Sequence, residues 1–433
     1  MHHSKKLLGT ASVLAAGGLL LSSCAGFGGG GGNSGEGEPQ TLTFTTWASE
    51  TEQAAFEQLI AQFEDENEGV TIDLNVVPYD QMFSNIDAQL ASGDAPDIFR
   101  VDYGNLGVYS SQEQLLDITD YFTQEEADAF VPALWEAVSY DGAQYGVPHQ
   151  TDVSALLLNT ALLEAAGITD IPTTLEDAWT WDEFADVAEK LRASLPAEQY
   201  PFVYNWQLGG TPRWLSWLFE ADGALLEEDG VTPAIDSAAG EKALDFTKSF
   251  FEKNWVPPTS SVKSSGYADS VFAEQTAAMA FVGSFLVPDM EYFNEFEWTA
   301  TFMPVDERGA TDLGGNALVA TAGTDSPDLA AKFLKFMVQE DSMETFCAQT
   351  MELPTLLSLA DKDIAYTTRP DLMPIFVQQA TTIEPSDVKQ LTSPYMAEIA
   401  VVLQDQLELA FVGGQSTADT LANISAGITE ITQ

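Results

Sequence analysis

Polar and aromatic residues follow two apolar segments of the chain, at points where a ligand could be held. Trp47 ends the segment TLTFTTW and Glu50 follows it, while Asp102 and Tyr103 follow the segment DIFRV. Carboxylates accept hydrogen bonds and aromatic rings bury apolar faces, so these residue types suit ligand binding. Each also has a purely structural alternative, a core position for Trp47 and turn chemistry for Asp102 and Tyr103 within DYGN. The sequence contains no GxSxG, HExxH or P-loop motif, which favours binding over catalysis.

The elements that must position these residues alternate between strands and helices. Residues 41–47 and 70–78 are rich in β-branched residues and predict strands, and a third short strand is predicted at 97–101. Ser49 and Glu52 form a capping box that opens the intervening helix. This alternation is typical of a parallel α/β sheet. Because ligands bind at the carboxyl ends of parallel strands, we expect Trp47, Glu50, Asp102 and Tyr103 to lie together.

Further helices are predicted later in the chain. Thr180 and Glu183 form a second capping box, and Ser326-Pro327 is typical of a helix start with proline at its first position. Residues 394–411 have the spacing of a late amphipathic helix. The fold class predicted from these patterns is α/β.

The beginning of the chain predicts export. Lys5 and Lys6 precede an apolar run that ends at residue 21, too short to span a membrane as a helix. Leu21-Ser22-Ser23-Cys24 resembles the bacterial lipobox, so residues 1–23 are interpreted as a lipoprotein signal peptide and Cys24 as the lipidated residue. The Gly-rich residues 24–40 are interpreted as a flexible tether.

Composition excludes several classes of partner. The chain has 67 acidic and 16 basic residues, a formal net charge of −51, which disfavours nucleic acid and anionic ligands. With Cys24 lipidated, Cys347 has no partner for an intrachain disulfide. One histidine, His149, lies beyond the signal peptide, so no metal site or cofactor is predicted.

Five segments resemble the extracellular solute-binding lipoproteins of ABC transporters, specifically their carbohydrate-binding branch. The resemblance spans nearly the whole mature chain, and the segments occur in the order of the family. They are SGDAPDIFRVDYGN (92–105), DGAQYGVPHQTDVSALLLNTALLEAAGI (141–168), TWDEFADVAEKL (180–191), FAEQTAAMAFVGSF (272–285) and DLGGNALVATAGTDSPDLAAKFLKFMVQED (312–341).

The sequence departs from the family pattern at three places. Phe285 stands where the family often has tryptophan, so the ring is kept but the indole donor is lost. The segment LLLN at 156–159 is less rich in tyrosine than in the family, and Gln275-Thr276 replaces Gly-Lys.

The resemblance implies two α/β lobes that close on a ligand, a periplasmic-binding-protein-like (Venus flytrap) fold. Lobe one would comprise 41–148 and 302–350, and lobe two 149–301 and 351–433. The crossings between them would lie near 147–150, 298–303 and 351–354.

The resemblance also implies the residues that hold a sugar. Asp152 is the principal polar candidate, flanked by Gln150 and faced by Asp102 and Tyr103. Neutral sugars require carboxylates or amides for their hydroxyls and aromatic rings for their C–H faces. The aromatic cluster at 204–223 adds Trp206 and Trp214 as stacking platforms, and Arg213, for which a surface salt bridge is an equal alternative. Ser284, Phe285 and Asn316 follow from their family positions, and Gly314 and Gly315 would let the backbone approach the ligand closely.

The predicted function is that of a non-enzymatic substrate-binding lipoprotein that delivers a mono- or oligosaccharide to an ABC transporter permease. It would act as a monomer at the outer face of the cytoplasmic membrane, in a host compatible with a Gram-positive bacterium. Two alternatives remain open. One is a surface glycoside hydrolase, since 67 carboxylates allow a catalytic pair by chance. The other is a receptor for a polyamine or peptide.

Overall fold

The computed structural model describes residues 39–293, 296–360 and 362–433. The predicted signal peptide, Cys24 and nearly all of the tether lie outside these residues. The strands are β1 Gln40–Thr46, β2 Val70–Val76, β3 Ile98–Asp102, β4 Ser139–Tyr140, β5 Ala143–Gln144, β6 Gly146–Gln150, β7 Ser154–Asn159, β8 Tyr200–Tyr204, β9 Ala277–Gly283, β10 Trp298–Thr301 and β11 Asn316–Ala320.

The helices surround these strands and make up most of the chain after β11. They are α1 Glu50–Glu66, α2 Tyr79–Ser92, α3 Tyr103–Ser110, α4 Gln124–Ala127, α5 Pro132–Glu136, α6 Thr160–Ala165, α7 Trp181–Ser194, α8 Leu215–Glu220, α9 Ala238–Glu252, α10 Ala268–Ala273, α11 Val287–Phe293, α12 Pro327–Met337, α13 Glu340–Thr350, α14 Leu357–Ala360, α15 Met373–Ala380, α16 Pro385–Leu391, α17 Met396–Phe411 and α18 Thr417–Thr432. Short 3-10 helices lie at Thr119–Tyr121, Leu175–Asp177, Leu208–Trp214 and Ser284–Leu286.

The first sheet has five strands in the order β2-β1-β3-β11-β6. Strand β1 pairs in parallel with β2 and β3, which confirms the predicted parallel unit. Strand β11 is antiparallel to both β3 and β6. The sheet is therefore mixed. Strands β1, β2 and β3 are parallel, and β11 and β6 are added beside β3.

Local capping fixes the starts of two predicted helices. Ser49 Oγ accepts from the backbone N–H of Glu52, and the Glu52 carboxylate accepts in return from the Ser49 N–H. Thr180 and Glu183 form the same reciprocal pair at the start of α7. Helix α12 begins with proline at 327 as predicted, although the Ser326 side chain makes no capping bond. Each reciprocal box satisfies two N–H groups that have no partner within the helix.

The second sheet has four strands in the order β10-β7-β9-β8. Strand β7 is antiparallel to both β9 and β10, whereas β8 is parallel to β9. Every residue of β7 and β9 is buried, as expected for strands covered on both faces. The sheet is covered by α7 to α9 on one side and by residues of α10, α11 and α15 on the other.

Each sheet has its own hydrophobic core, so the described chain has two lobes. The first lobe is the five-stranded sheet with the core around Phe44, Phe56 and Phe333. The second lobe is the four-stranded sheet with the core around Phe184 and Trp217. Three segments lie between the two lobes and are defined here as the first crossing (150–154), the second crossing (311–316) and the third crossing segment (351–355). In the third crossing segment Met351 and Leu353 pack in the second-lobe core, although the chain before and after it packs in the first lobe.

The second crossing lies later than the sequence predicts, and the chain beyond the third does not follow the predicted lobe. Strand β10 belongs to the second sheet, and Met303 and Ala310 pack in the second-lobe core, so the passage predicted near 298–303 occurs at 311–316. Beyond 351 the chain does not remain in the second lobe, because Leu356 and Ile364 pack against the first-lobe core. Apolar contacts made by the loops that follow β10 and α13 cause both differences.

Within the described residues, none of the helices combines the length and the apolar character that crossing a membrane requires.

Candidate functional site

The carboxyl end of β3 holds a carboxylate within a hydrogen-bonded polar group. Asp102 accepts from Tyr79 Oη at 2.8 Å and from Asn105 Nδ2 at 3.3 Å. The Asn316 amide, in the orientation that satisfies its neighbours, donates to Asp102 Oδ1 at 2.8 Å and accepts from Gln150 Nε2 at 2.6 Å. Burial outweighs these hydrogen bonds and raises the pKa of Asp102 to about 6. Asp102 and Asn316, both predicted site residues, are therefore direct neighbours.

Trp47 lies at the same edge, directly after β1, and is only partly buried. Its ring makes an edge contact with Tyr79, with centroids 5.2 Å apart. The guanidinium of Arg100 lies 4.7 Å from the Trp47 ring centroid. Glu50, the next predicted residue, is exposed in the first turn of α1. Trp47 thus combines an accessible apolar surface with polar neighbours, as a sugar platform requires.

Asp152 lies in the first crossing, against which three glycines pack closely. A Cβ atom at Gly314 would collide with the Asp152 carboxylate, and one at Gly283 would press on both Asp152 and the Phe285 ring. Gly315 adopts a φ of +101° and packs against the backbone of Gln150 and Thr151, so a side chain there would be strained and obstructed. Gly314 and Gly315 therefore let the second crossing approach the first closely.

Arg213 pairs with two carboxylates at the base of this region. Its Nη2 lies 3.3 Å from Asp152 Oδ1, and its Nη1 pairs with Asp312. The guanidinium also lies 5.5 Å from the centroid of the Phe285 ring. Burial raises the pKa of Asp152, while the Arg213 charge opposes that rise. The structure therefore brings Asp152, Arg213 and Phe285 together, and adds Asp312.

Two oxygen atoms beside these groups have no hydrogen-bond partner among the described residues. They are Gln150 Oε1 and Ser284 Oγ, both on side chains that are fully buried. Buried polar atoms are rarely left unpaired, because each such atom costs about 1–3 kcal/mol. A ligand that supplies hydroxyl groups would satisfy both only if a change in the angle between the lobes exposes them.

Three predicted site residues have structural roles instead. Tyr103 is buried, and its hydroxyl donates to the backbone oxygen of Gln150 at 2.8 Å. Trp206 is stacked between core rings that include Tyr204 and Phe411, and its Nε1 donates to Ser260 O at 2.9 Å. Trp214 Nε1 donates to Thr247 Oγ1, and both tryptophans are 0% exposed. The predicted role of Trp206 and Trp214 as stacking platforms is therefore corrected to a role in the second-lobe core.

The structure adds residues that sequence reasoning missed. Tyr79 supplies the hydroxyl beside Asp102, and Asp312 supplies the second carboxylate for Arg213. The pKa of Tyr267, which is 36% exposed, is raised by burial and then by the charges of Asp269, Asp80 and Asp102. Asp312 directly precedes Leu313 and the glycine pair and could have been found from that spacing. Tyr79 follows Pro78 at a helix start and carries no such signal.

The arrangement can bind but has no feature of a metal centre. Among the described residues, no group of three or more His, Cys, Asp or Glu side chains is placed to hold a metal ion. A surface groove of about 630 Å³ lies elsewhere, between the start of α7, α9 and residues 305–306. The set around Asp102 and Asp152 offers carboxylates, amides and rings, which together suit a polar, uncharged ligand.

Comparisons with known proteins agree with this architecture. Residues 47–344 match the family of bacterial extracellular solute-binding proteins. The maltodextrin-binding protein MdxE of Bacillus subtilis is 24% identical over 428 residues, which cover 96% of this chain and 95% of MdxE. The family match covers more than half of the chain.

Two solved structures share the fold. An ABC substrate-binding protein from Listeria monocytogenes, in complex with cycloalternan, has a TM-score of 0.78 and 21% identity, covering 91% of this chain and 99% of that chain. An ABC transporter solute-binding protein from Thermotoga lettingae, bound with alpha-D-tagatose, has a TM-score of 0.77 and 22% identity, covering 91% and 100%. Together with the two sheets and their separate cores, these matches confirm the predicted two-lobed α/β fold, and the family match shows that this chain belongs to the bacterial extracellular solute-binding proteins.

Proposed function

We propose that this protein captures a neutral mono- or oligosaccharide between its lobes and delivers it to the permease of an ABC importer. The observation that carries the proposal is the pair of buried, unpaired oxygens, Gln150 Oε1 and Ser284 Oγ. Gln150 shares the first crossing with Asp152, and Ser284 follows Gly283, against which the Asp152 carboxylate packs. Hydroxyl groups of a sugar can donate to an amide oxygen and can both donate to and accept from a serine hydroxyl. Maltodextrin for MdxE, and cycloalternan and tagatose in the two solved structures, belong to the same ligand class.

The proposed site uses residues from both lobes and from the crossings. Trp47 and Asp102 would contact the sugar from the first lobe, with Glu50 at the rim. Asp152 and Gln150 would contact it from the first crossing. The second lobe and second crossing would contribute Ser284, Phe285, Gly314, Gly315 and Asn316.

The charges of this region favour a neutral sugar over an anionic one. Arg100 is paired with Glu52 at 2.7 Å, and Arg213 is paired with Asp152 and Asp312. Both guanidinium groups are thus already neutralised by carboxylates of the protein. A carboxylate or phosphate on the ligand would meet mainly negative charge.

A ligand screen tests the proposal. Thermal-shift measurements over neutral mono- and oligosaccharides, followed by calorimetry, should identify at least one sugar that binds, because binding to the folded state alone raises the melting temperature. Uronic acids and sugar phosphates of matched size are the negative controls. Absence of any saccharide ligand, or turnover of aryl glycosides by the purified protein, would contradict the proposed function.

The proposed location depends on Cys24, which lies outside the described residues. Lipidation of this cysteine would hold the protein at the outer face of the cytoplasmic membrane, with residues 24–40 as a tether. Replacing Cys24 by alanine should release the protein into the medium with unchanged sugar affinity. Retention of Cys24→Ala at the membrane would contradict the lipid anchor.

A further inference from the structure

The crossings between the lobes are bonded to each other. In the first and third, the N–H and C=O groups of Thr151 and Leu353 bond reciprocally at 2.9 and 2.8 Å. The second crossing is bonded to the first through Gly314 N–H to Asp152 O at 2.9 Å and through Ser154 N–H to Asp312 Oδ1 at 3.1 Å. A change in the angle between the lobes must therefore be accommodated by these segments as a group.

Each lobe directs one arginine into this group. Arg100 projects from β3 of the first lobe and is 1% exposed, with Nη1 2.7 Å from Glu52 Oε1 and Nη2 3.8 Å from Glu352 Oε1 in the third crossing segment. Its Nη2 also donates to Asn316, at the end of the second crossing, at 3.0 Å. Arg100 thus connects two of the crossings to the first lobe.

Arg213 occupies the corresponding place in the second lobe. It lies in the 3-10 helix Leu208–Trp214, which leads into α8, and every side chain of α8 is buried. Its guanidinium pairs with Asp152 in the first crossing and with Asp312 in the second, and Nη1 lies 3.4 Å from Ser154 Oγ. Arg213 therefore joins the second-lobe core to both crossings, and its side chain is only 14% exposed.

We propose that Arg213 is a positioning residue of the hinge, which holds the first and second crossings against the second lobe and sets the balance between open and closed lobes. This role replaces the sugar contact that the sequence predicts for Arg213. It rests on the proposed function in one respect, namely that closure of the lobes serves to capture the ligand. Without the guanidinium, Asp152 and Asp312 would face each other as like charges, which favours either protonation or separation of the crossings. Separation changes the hinge itself, in the absence of any ligand.

Pulsed electron paramagnetic resonance measures this effect directly. Spin labels at Ser92→Cys, at the end of α2, and Glu252→Cys, at the end of α9, report the distance between the lobes, and both positions are exposed. The Cys24→Ala background leaves Cys347 as the other cysteine, and that residue is buried. We expect Arg213→Gln to shift or broaden the distance distribution of the unliganded protein.

Three further variants complete the design. Asp312→Asn should give a smaller change than Arg213→Gln, because the pair between Arg213 and Asp152 remains. The double variant should partly restore the wild-type distribution, because it removes the like-charge pair that Arg213→Gln leaves behind. Arg213→Lys, which keeps the charge but not the planar fork, should give a smaller shift and carries the test if Arg213→Gln does not fold. Lys242→Gln is the matched control, since it breaks a more exposed ion pair with Asp306 and Glu307 in the same lobe.

The outcome separates the hinge role from a direct contact with sugar. If Arg213 positions the hinge, its loss changes the distances between the spin labels in the protein without sugar. Sugar affinity then falls in proportion to the fraction of molecules that can still close their lobes. A loss of affinity with unchanged unliganded distances in Arg213→Gln would overturn the proposal. Because the distances are measured without sugar, failure to find any sugar ligand would contradict the proposed function and leave the hinge result standing.

Discussion

Trp47 and Trp206 both follow the carboxyl end of a strand, yet they lie in different surroundings. Trp47 comes directly after β1 and is partly buried beside Tyr79 and Arg100. Trp206 comes two residues after β8 and is fully enclosed by core rings of the second lobe, among them Phe251 and Phe411. The strand end determines where a residue lies, whereas the helices that cover it determine whether a ligand can reach it.

Trp206→Ala should give the largest effect, and that effect should be on stability. Removing this buried ring leaves a cavity and deletes its hydrogen bond to Ser260, so the free energy of unfolding should fall by about 3–5 kcal/mol. Urea unfolding followed by circular dichroism measures this loss. Trp206→Phe, which keeps a ring, should lose less.

Sugar affinity of folded Trp206→Ala provides the complementary result. Under conditions in which the variant remains folded, we expect its affinity to differ from that of the wild type by less than about twofold, or about 0.4 kcal/mol. A tenfold loss of affinity would return Trp206 to the binding site and remove the contrast with Trp47.

Trp47→Ala should show the opposite pattern. Loss of the platform at the first-lobe edge should weaken sugar binding by about tenfold, equivalent to about 1.4 kcal/mol. The stability loss should be smaller than for Trp206→Ala, because the ring is only partly buried. Calorimetry and urea unfolding on the same preparation measure both quantities, with Trp47→Phe as the matched variant that keeps a ring.

Asp102 should give a different kind of effect, a change in the pH dependence of stability. Its pKa is raised to about 6 in the folded protein, mainly by burial, whereas a carboxyl of an unfolded chain titrates near 3.9. The folded state therefore holds this proton more tightly, so the stabilising contribution is complete below about pH 4 and is lost as the pH rises through about 6.

Asp102→Asn isolates this contribution. Relative to the wild type, the variant should lack a decline of roughly 2–3 kcal/mol in unfolding free energy between pH 4 and pH 7. Asp182→Asn, at an exposed aspartate of α7, is the control and should preserve the decline. Parallel pH profiles for wild type and Asp102→Asn would show that Asp102 does not titrate in this range.

Much of the first lobe could be predicted because its signals are local. β-branched runs marked β1 and β2, and the capping box at Ser49 and Glu52 marked the start of α1. The position of Asp102 followed from the rule for parallel strand ends. None of these inferences depends on residues distant in the sequence.

The aromatic residues of the second lobe could not be assigned in this way. Trp206 is covered by Phe250 and Phe251 of α9 and by Phe411 of α17, which lie far along the chain. The pairing of Arg213 with Asp312 likewise depends on the packing of the second crossing. Exposure and ion pairing depend on tertiary packing. Residue type and spacing alone therefore could not distinguish a tryptophan that stacks on a ligand from one that lies in the core.

Isothermal titration calorimetry of Asp152→Asn against Asp182→Asn tests the central claim most directly, with the sugar identified in the ligand screen. We predict that Asp152→Asn weakens binding more than tenfold while the overall fold is retained, and that Asp182→Asn binds as the wild type does. Equal affinities for wild type, Asp152→Asn and Asp182→Asn would contradict the assignment of the binding site to the crossings between the two lobes.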